Sequence, residues 1–160
     1  MGKKVKRTIV YKVCYKKGEK FYSMYHKDLD GLSVEYAIGK DSTPKAGKLF
    51  AFTNKNDALS KCDSDHIVFE AEAIVIKEMP AMYRTVMAIN KYSRKSFEIL
   101  KRDSRNWWKW VLGANLKEGY IILRKTAPEG VTLGWQCSIP FLACSRIRLI
   151  RQISEGGEND

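Results

Sequence analysis

Apolar and polar residues alternate with period two over much of the first eighty positions, shift towards a helical period, and return to alternation near the C-terminus. In TIVYKVCY, residues 8–15, Ile9, Tyr11, Val13 and Tyr15 stand against Val10, Lys12 and Cys14, as in a strand whose side chains point to two faces in turn. KKGEK forms a turn and FYSMYH a second short strand, while HKDLDGLS (with His26, Asp28 and Asp30) reads as turn chemistry ending in Gly31 rather than a calcium loop. LSVEYAI predicts a third strand closed by Gly39. DSTPKAG is a loop, because Pro44 and Gly47 both interrupt pairing, and KLFAF is a compact apolar strand. TNKNDALSKC predicts a short helix capped by Asn54, with Asp57 three residues on completing a capping-box-like pair. HIVFEAEAIVIKEM predicts a long strand stopped by Pro80. Ile67, Phe69, Ala71, Ala73 and Val75 face its core side, and Glu70 and Glu72 lie together on the other.

Between 82 and 112 the spacing of Tyr83, Val86, Met87, Phe97 and Leu100 predicts one or two helices. Alternation resumes in GYIILRK, VTLGWQCSI and FLACSRIRLIRQI, where Arg146 and Arg148 share one face and Ile147 and Leu149 the other. The expected fold is α+β: a single domain over 1–153, built on a mainly antiparallel twisted sheet. It carries one short helix and a helical segment inserted at about 82–112, and ends in an acidic disordered tail over 154–160.

Composition narrows the setting. A chain of 160 residues can bury a full core as one domain. The basic start MGKKVKRTIVYKV has no long apolar stretch and no small-residue cleavage site, so no signal peptide is read. The longest apolar runs are too short to cross a bilayer, so a cytoplasmic protein with no membrane partner is expected. Cys14, Cys62, Cys137 and Cys144 show no paired spacing, which suits reduced, buried thiols better than a zinc site. The net charge of +11 changes the picture most. It concentrates at the N-terminus (Lys3, Lys4, Lys6, Arg7, then Lys12, Lys16, Lys17 and Lys20) and from Arg84 to Lys109, and such a field attracts polyanions.

The densest candidate chemistry is the segment 101–112, where Trp107, Trp108 and Trp110 stand among Lys101, Arg102, Arg105 and Lys109. At about 100° of helical rotation per residue, Leu100, Trp107, Trp110 and Val111 form a core stripe. Arg102, Arg105 and Lys109 form a cationic stripe opposite, and Trp108 falls at the border. An exposed Trp108 stacking a base while the cations hold phosphate is the expected site, with Arg146 and Arg148 adding charge. The expected function is non-enzymatic binding of an anionic ligand, nucleic acid or a phosphorylated nucleotide. The alternative is a protein that binds or inhibits an acidic host or defence protein, and a nucleotide-acting enzyme stands behind both.

Catalytic motifs are absent: with two histidines there is no H-E-x-x-H, and there is no G-x-S-x-G, phosphate-binding glycine loop or dinucleotide fingerprint. Glu70 and Glu72 form a carboxylate pair that fits a solvated acidic face or the partners of nearby lysines better than an acid–base site. Cys62, Asp63, Asp65 and His66 are metal-capable ligands, but a helix end and a turn explain the same residues. No cofactor and no metal are expected.

Tyr36 and Gly39 in Y-x-x-G, the loop with Pro44 and Gly47, LFAF over 49–52, Asp57 and Ala58, VFEAEA over 68–73 and the closing FLACSRIRLI form a recognisable set. The set resembles a group of small uncharacterised proteins encoded by tailed phages and bacterial mobile elements. The resemblance spans about a third of the chain and implies a compact α+β domain, possible phage origin and, with it, a host-cytoplasm location. It implies no catalytic residue, and the segment from Arg84 to Leu112 lies outside its pattern.

Overall fold

The computed structural model describes residues 5–23, 33–79 and 139–153, the backbone of 82–87, 132–137 and 154–155, and residues 105, 108, 109 and 112. The strands among the described residues are β1 (Thr8–Lys17), β2 (Lys20–Ser23), β3 (Glu35–Tyr36), β4 (Asp41–Ser42), β5 (Leu49–Ala51), β6 (His66–Met79), β7 (Met82–Met87), β8 (Thr132–Cys137) and β9 (Phe141–Glu155), and helix α1 spans Lys55–Ser60. The main sheet runs β3-β2-β1-β6-β9-β4, with β5 also on β9, and every pairing is antiparallel. Sheet dominates this single small domain, and helix contributes little among the described residues.

The long pair β6–β9 is the spine. Four register shifts along it, at Val68/Phe69, Glu70/Ala71, Ile74/Val75 and Val75/Lys77, mark bulges or irregularities. Such features increase local twist and curl a flat pair towards closure. The free edge of β9 then takes β5 at residues 142–144 and β4 at Arg148 and Ile147. Closure comes where the chain leaves β5: Tyr11 and Phe52 exchange backbone hydrogen bonds of 2.9 and 2.8 Å, tying β5 back to β1. The result is nearly a barrel. Inside it, Val10, Cys14, Phe69, Ala71, Ala73, Cys144, Ile147 and Leu149 are fully buried, with Phe21 edge-on to Phe69 at 4.8 Å.

Lys12 shares that interior. Its position between Val10 and Cys14 places it on the inward face of β1, so it leaves the N-terminal surface cluster in which the sequence had grouped it. The ammonium donates to the Phe50 carbonyl at 2.7 Å and lies 5.3 Å from the centre of the Tyr36 ring. Phe50 precedes Phe52 by two residues, so this carbonyl lies on the edge of β5 that turns towards β1. Lys12 thus supplies a donor to a buried carbonyl of that edge, where loss of a hydrogen bond is costly. Burial pushes the Lys12 ammonium below its ordinary value of 10.5. Burial also pushes the Cys14 and Cys144 thiols up to about 12, and the Tyr36 phenol well above 10. The Ser23 hydroxyl beside Tyr36 is engaged by the Val34 amide at 3.0 Å, and the Tyr36 hydroxyl is left without a well-formed hydrogen bond.

α1 forms as expected. The Asn54 side chain accepts from the Asp57 amide at 2.9 Å, and Asn54 Nδ2 donates to the Asp57 carboxylate at 3.0 Å. The helix packs on β1, on the outer side of the sheet where Val13 and Val68 are opposite one another and buried. β6 keeps the predicted faces and ends at Met79, one residue before Pro80.

Two boundaries differ from expectation. Residues 82–87 are strand β7, paired with β8, and not the start of a helical segment. MYRTVM contains Tyr83, Thr85 and Val86, residues that favour strands, and the ladder between Met82 and Cys137 resumes within a few residues of the Met79–Phe141 pair. Helical conformation is found at Arg105, Trp108, Lys109 and Leu112. At the other end, β9 runs through Ser154 and Glu155, which pair with Val68 and Ile67, so the strand continues two residues into the span expected to be disordered.

The pH dependence of stability follows from Lys12. Its folded-state value is depressed, so neutral Lys12 stabilises the fold fully above 10.5, and that stability is lost as pH falls through the lower folded value. The raised thiols act oppositely, losing stability as pH rises from about 9 towards 12. Replacing Lys12→Met removes the first effect together with the hydrogen bond to the Phe50 carbonyl. The melting temperature of the variant relative to the wild type should therefore fall as pH rises from 7 towards 10.5. Thermal melts at paired pH values measure this, and a gap independent of pH contradicts it.

Candidate functional site

Trp108 is 3% exposed, which overturns the expectation of an indole available for base stacking. Its ring packs on Phe50 with centroids 4.8 Å apart and planes at 50°, and Phe50 in turn meets Phe141 at 5.1 Å. Gly47 makes this possible: a Cβ there would overlap the indole at Cδ1, and its φ of 81° is open mainly to glycine. The helical wheel could place Trp108 only relative to its own helix. The loop over 43–47 that covers it lies sixty residues earlier in the chain. Arg105 and Lys109 are exposed beside it, and Lys101 and Arg102 lie outside the described residues.

The arginines of β9 meet an acidic partner from β4. Arg148 donates to both Asp41 oxygens, Nε at 3.2 Å and Nη2 at 3.1 Å. Arg7, just ahead of β1, does the same with Nη1 at 3.0 Å and Nη2 at 3.1 Å. Arg146 Nη1 approaches the same carboxylate at 3.8 Å. Hydrogen bonds from Arg7 first and Arg148 second hold the Asp41 carboxyl below its usual range, and the bond to Asp41 raises Arg7. Three guanidiniums thus converge on one carboxylate.

Strand register extends the cluster. Glu72 lies across from Arg148, and Glu70 accepts from Arg151 at 3.0 Å. Of the two glutamates expected as an acidic pair, Glu70 is bound to an arginine and Glu72 lies opposite one in the strand register. Arg7, Arg146, Arg148 and Arg151 outweigh Asp41, Glu70 and Glu72 by one charge, so the free cationic pair expected at 146 and 148 is largely compensated. Arg146, with only its longer contact and a side chain 45% exposed, is the least engaged of the three around Asp41. Exposed pairs of this kind add little to stability. Their main effect is to hold planar guanidiniums in one orientation.

The turn after α1 is closed internally: the Asp63 amide donates to His66 Nδ1 at 3.0 Å, and Cys62 Sγ donates to the His66 carbonyl at 3.2 Å. Burial first, and then Asp63, push the Cys62 thiol up. Among the described residues no three His, Cys, Asp or Glu side chains are grouped to hold a metal ion. Among the same residues no helix is long and apolar enough to cross a membrane. His26, Asp28 and Asp30 lie outside the described residues.

Sequence reasoning missed Arg7 and Asp41 as members of one site. Neither belongs to a motif, and the separation of 34 residues leaves no local signal. No family model, no curated protein and no solved structure matches the chain.

Gly47 and Gly39 give a matched test of the tryptophan's seat, since both have φ of 81° but only Gly47 faces the indole. Gly39→Ala should cost about 1 kcal/mol from backbone strain. Gly47→Ala should cost about 1–3 kcal/mol more, from displacing Trp108. Urea unfolding followed by circular dichroism gives both values, and equal losses would place the ring elsewhere.

Proposed function

We propose that the protein is a non-enzymatic binding module for an anionic macromolecule, engaged through the outer sheet face that carries Arg7, Arg146 and Arg148. The observation carrying this reading is the convergence of those three guanidiniums on Asp41 in a chain of net charge +11. A lone surface cation is mobile and heavily hydrated. Arginines held by a shared carboxylate present their remaining N–H donors in fixed directions, at little further entropic cost on binding.

With Trp108 buried, base stacking by that residue drops out, and attraction rests on phosphate or carboxylate groups alone. Arg105 and Lys109, exposed near Trp108 in the chain, add to the field, as does the basic N-terminal segment. Nucleic acid offers phosphates and an acidic protein offers carboxylates. The resemblance to phage-encoded proteins keeps a host protein among the candidate partners.

Fluorescence anisotropy with a labelled single-stranded RNA, a DNA duplex and poly-L-glutamate, each at several salt concentrations, tests the reading. At least one should bind at low ionic strength and weaken steeply with added salt. The double variant Arg146→Glu/Arg148→Glu should weaken that binding about tenfold or more. Failure of all three polyanions to bind at low salt ends the proposal.

A further inference from the structure

Among the described residues, the outer face of β1, β6 and β9 is covered in part: α1 packs against β1, and Lys77, next to Ile76 on β6, donates to the Leu112 carbonyl at 2.8 Å. Apolar side chains remain exposed between these contacts. Ile9, Ile76 and Ile150 are 48%, 50% and 37% exposed there, and Val5, 63% exposed, leads into β1 two residues before Arg7. Three of the five exposed large hydrophobic residues among the described residues, Ile9, Ile76 and Ile150, belong to these strands. The register interleaves this apolar set with the charged one. Ile9 is across from Glu72, Glu72 from Arg148, and Arg148 from Asp41, while Ile74 is across from Arg146.

We infer that this face docks an acidic polypeptide, its carboxylates meeting Arg146 and Arg148 and its apolar side chains covering Ile9 and Ile76. The inference rests on the proposed anionic partner and specifies its chemistry. A nucleic acid would gain from the arginines but little from branched aliphatic side chains, which offer a base neither a stacking plane nor a hydrogen bond. An acidic protein segment gains from both sets. Arginine beside exposed apolar groups is also the composition of protein interfaces, where the apolar contacts supply affinity and the charges supply orientation and speed of encounter. A second copy of this chain is disfavoured, because each copy carries a net charge of +11.

Three labelled probes of matched charge decide it: a sixteen-residue peptide alternating glutamate and leucine, one alternating glutamate and serine, and a single-stranded oligonucleotide. The leucine peptide should bind about tenfold tighter than the serine peptide, as expected for partial burial of a few aliphatic groups. The double variant Ile9→Ser/Ile76→Ser should abolish that difference while leaving the serine peptide's affinity unchanged. A circular dichroism melt of the variant confirms that it folds. Equal binding of all three probes, with no effect of the isoleucine variant, overturns this inference but leaves the anionic-partner reading intact. Tighter binding of the oligonucleotide than of the leucine peptide overturns it in favour of nucleic acid, and binding of none removes both.

Discussion

The fold depends on how β1 and β5 meet. A pair of backbone hydrogen bonds between Tyr11 and Phe52 and a buried lysine donating to the Phe50 carbonyl join strands that are distant in sequence. Without them, β5 would hang from β9 alone and the interior around Phe69, Ala71, Ile147 and Leu149 would open on one side. A lysine is an unusual way to satisfy such a carbonyl, because its charge is disfavoured in an apolar interior. Its long side chain carries a donor to the Phe50 carbonyl, and the Tyr36 ring offsets part of the lost hydration.

Closing the seam also sets the outer surface. Once β1, β6 and β9 curl around the core, their outward side chains fall into rows fixed by register, and β4 brings Asp41 alongside Arg148. Arg7 reaches the same carboxylate from the strand's entry. One acidic residue from a two-residue strand therefore organises arginines from both ends of the chain. The same curvature leaves isoleucines exposed between them, since α1 is only six residues long and covers part of the face.

The candidate site was legible in part. FLACSRIRLI showed that Arg146 and Arg148 share a face, because alternation is a property of the strand itself. It could not show that Asp41 and Glu72 would compensate them. The tryptophan segment failed for a related reason. A helical wheel ranks residues by direction around one axis, and burial depends on what lies in each direction. Here the missing side chain of Gly47 admits the Trp108 ring. MYRTVM carried both a helical spacing and strand-favouring residues, and its pairing partner TLGWQC, some fifty residues later, decided between them.

What the sequence by itself determined was local: the inward and outward faces of β1, β6 and β9, the Asn54 cap, the stop at Pro80 and the breaks at Gly39 and Gly47. Each follows from backbone geometry or from hydrogen bonds within a few residues. The tertiary structure alone decided the closure of the seam, the burial of Lys12 and Trp108, and the gathering of Arg7, Arg146 and Arg148 on Asp41. Each of those is a contact between segments separated by tens of residues, where solvation and charge depend on neighbours that no single stretch of chain contains.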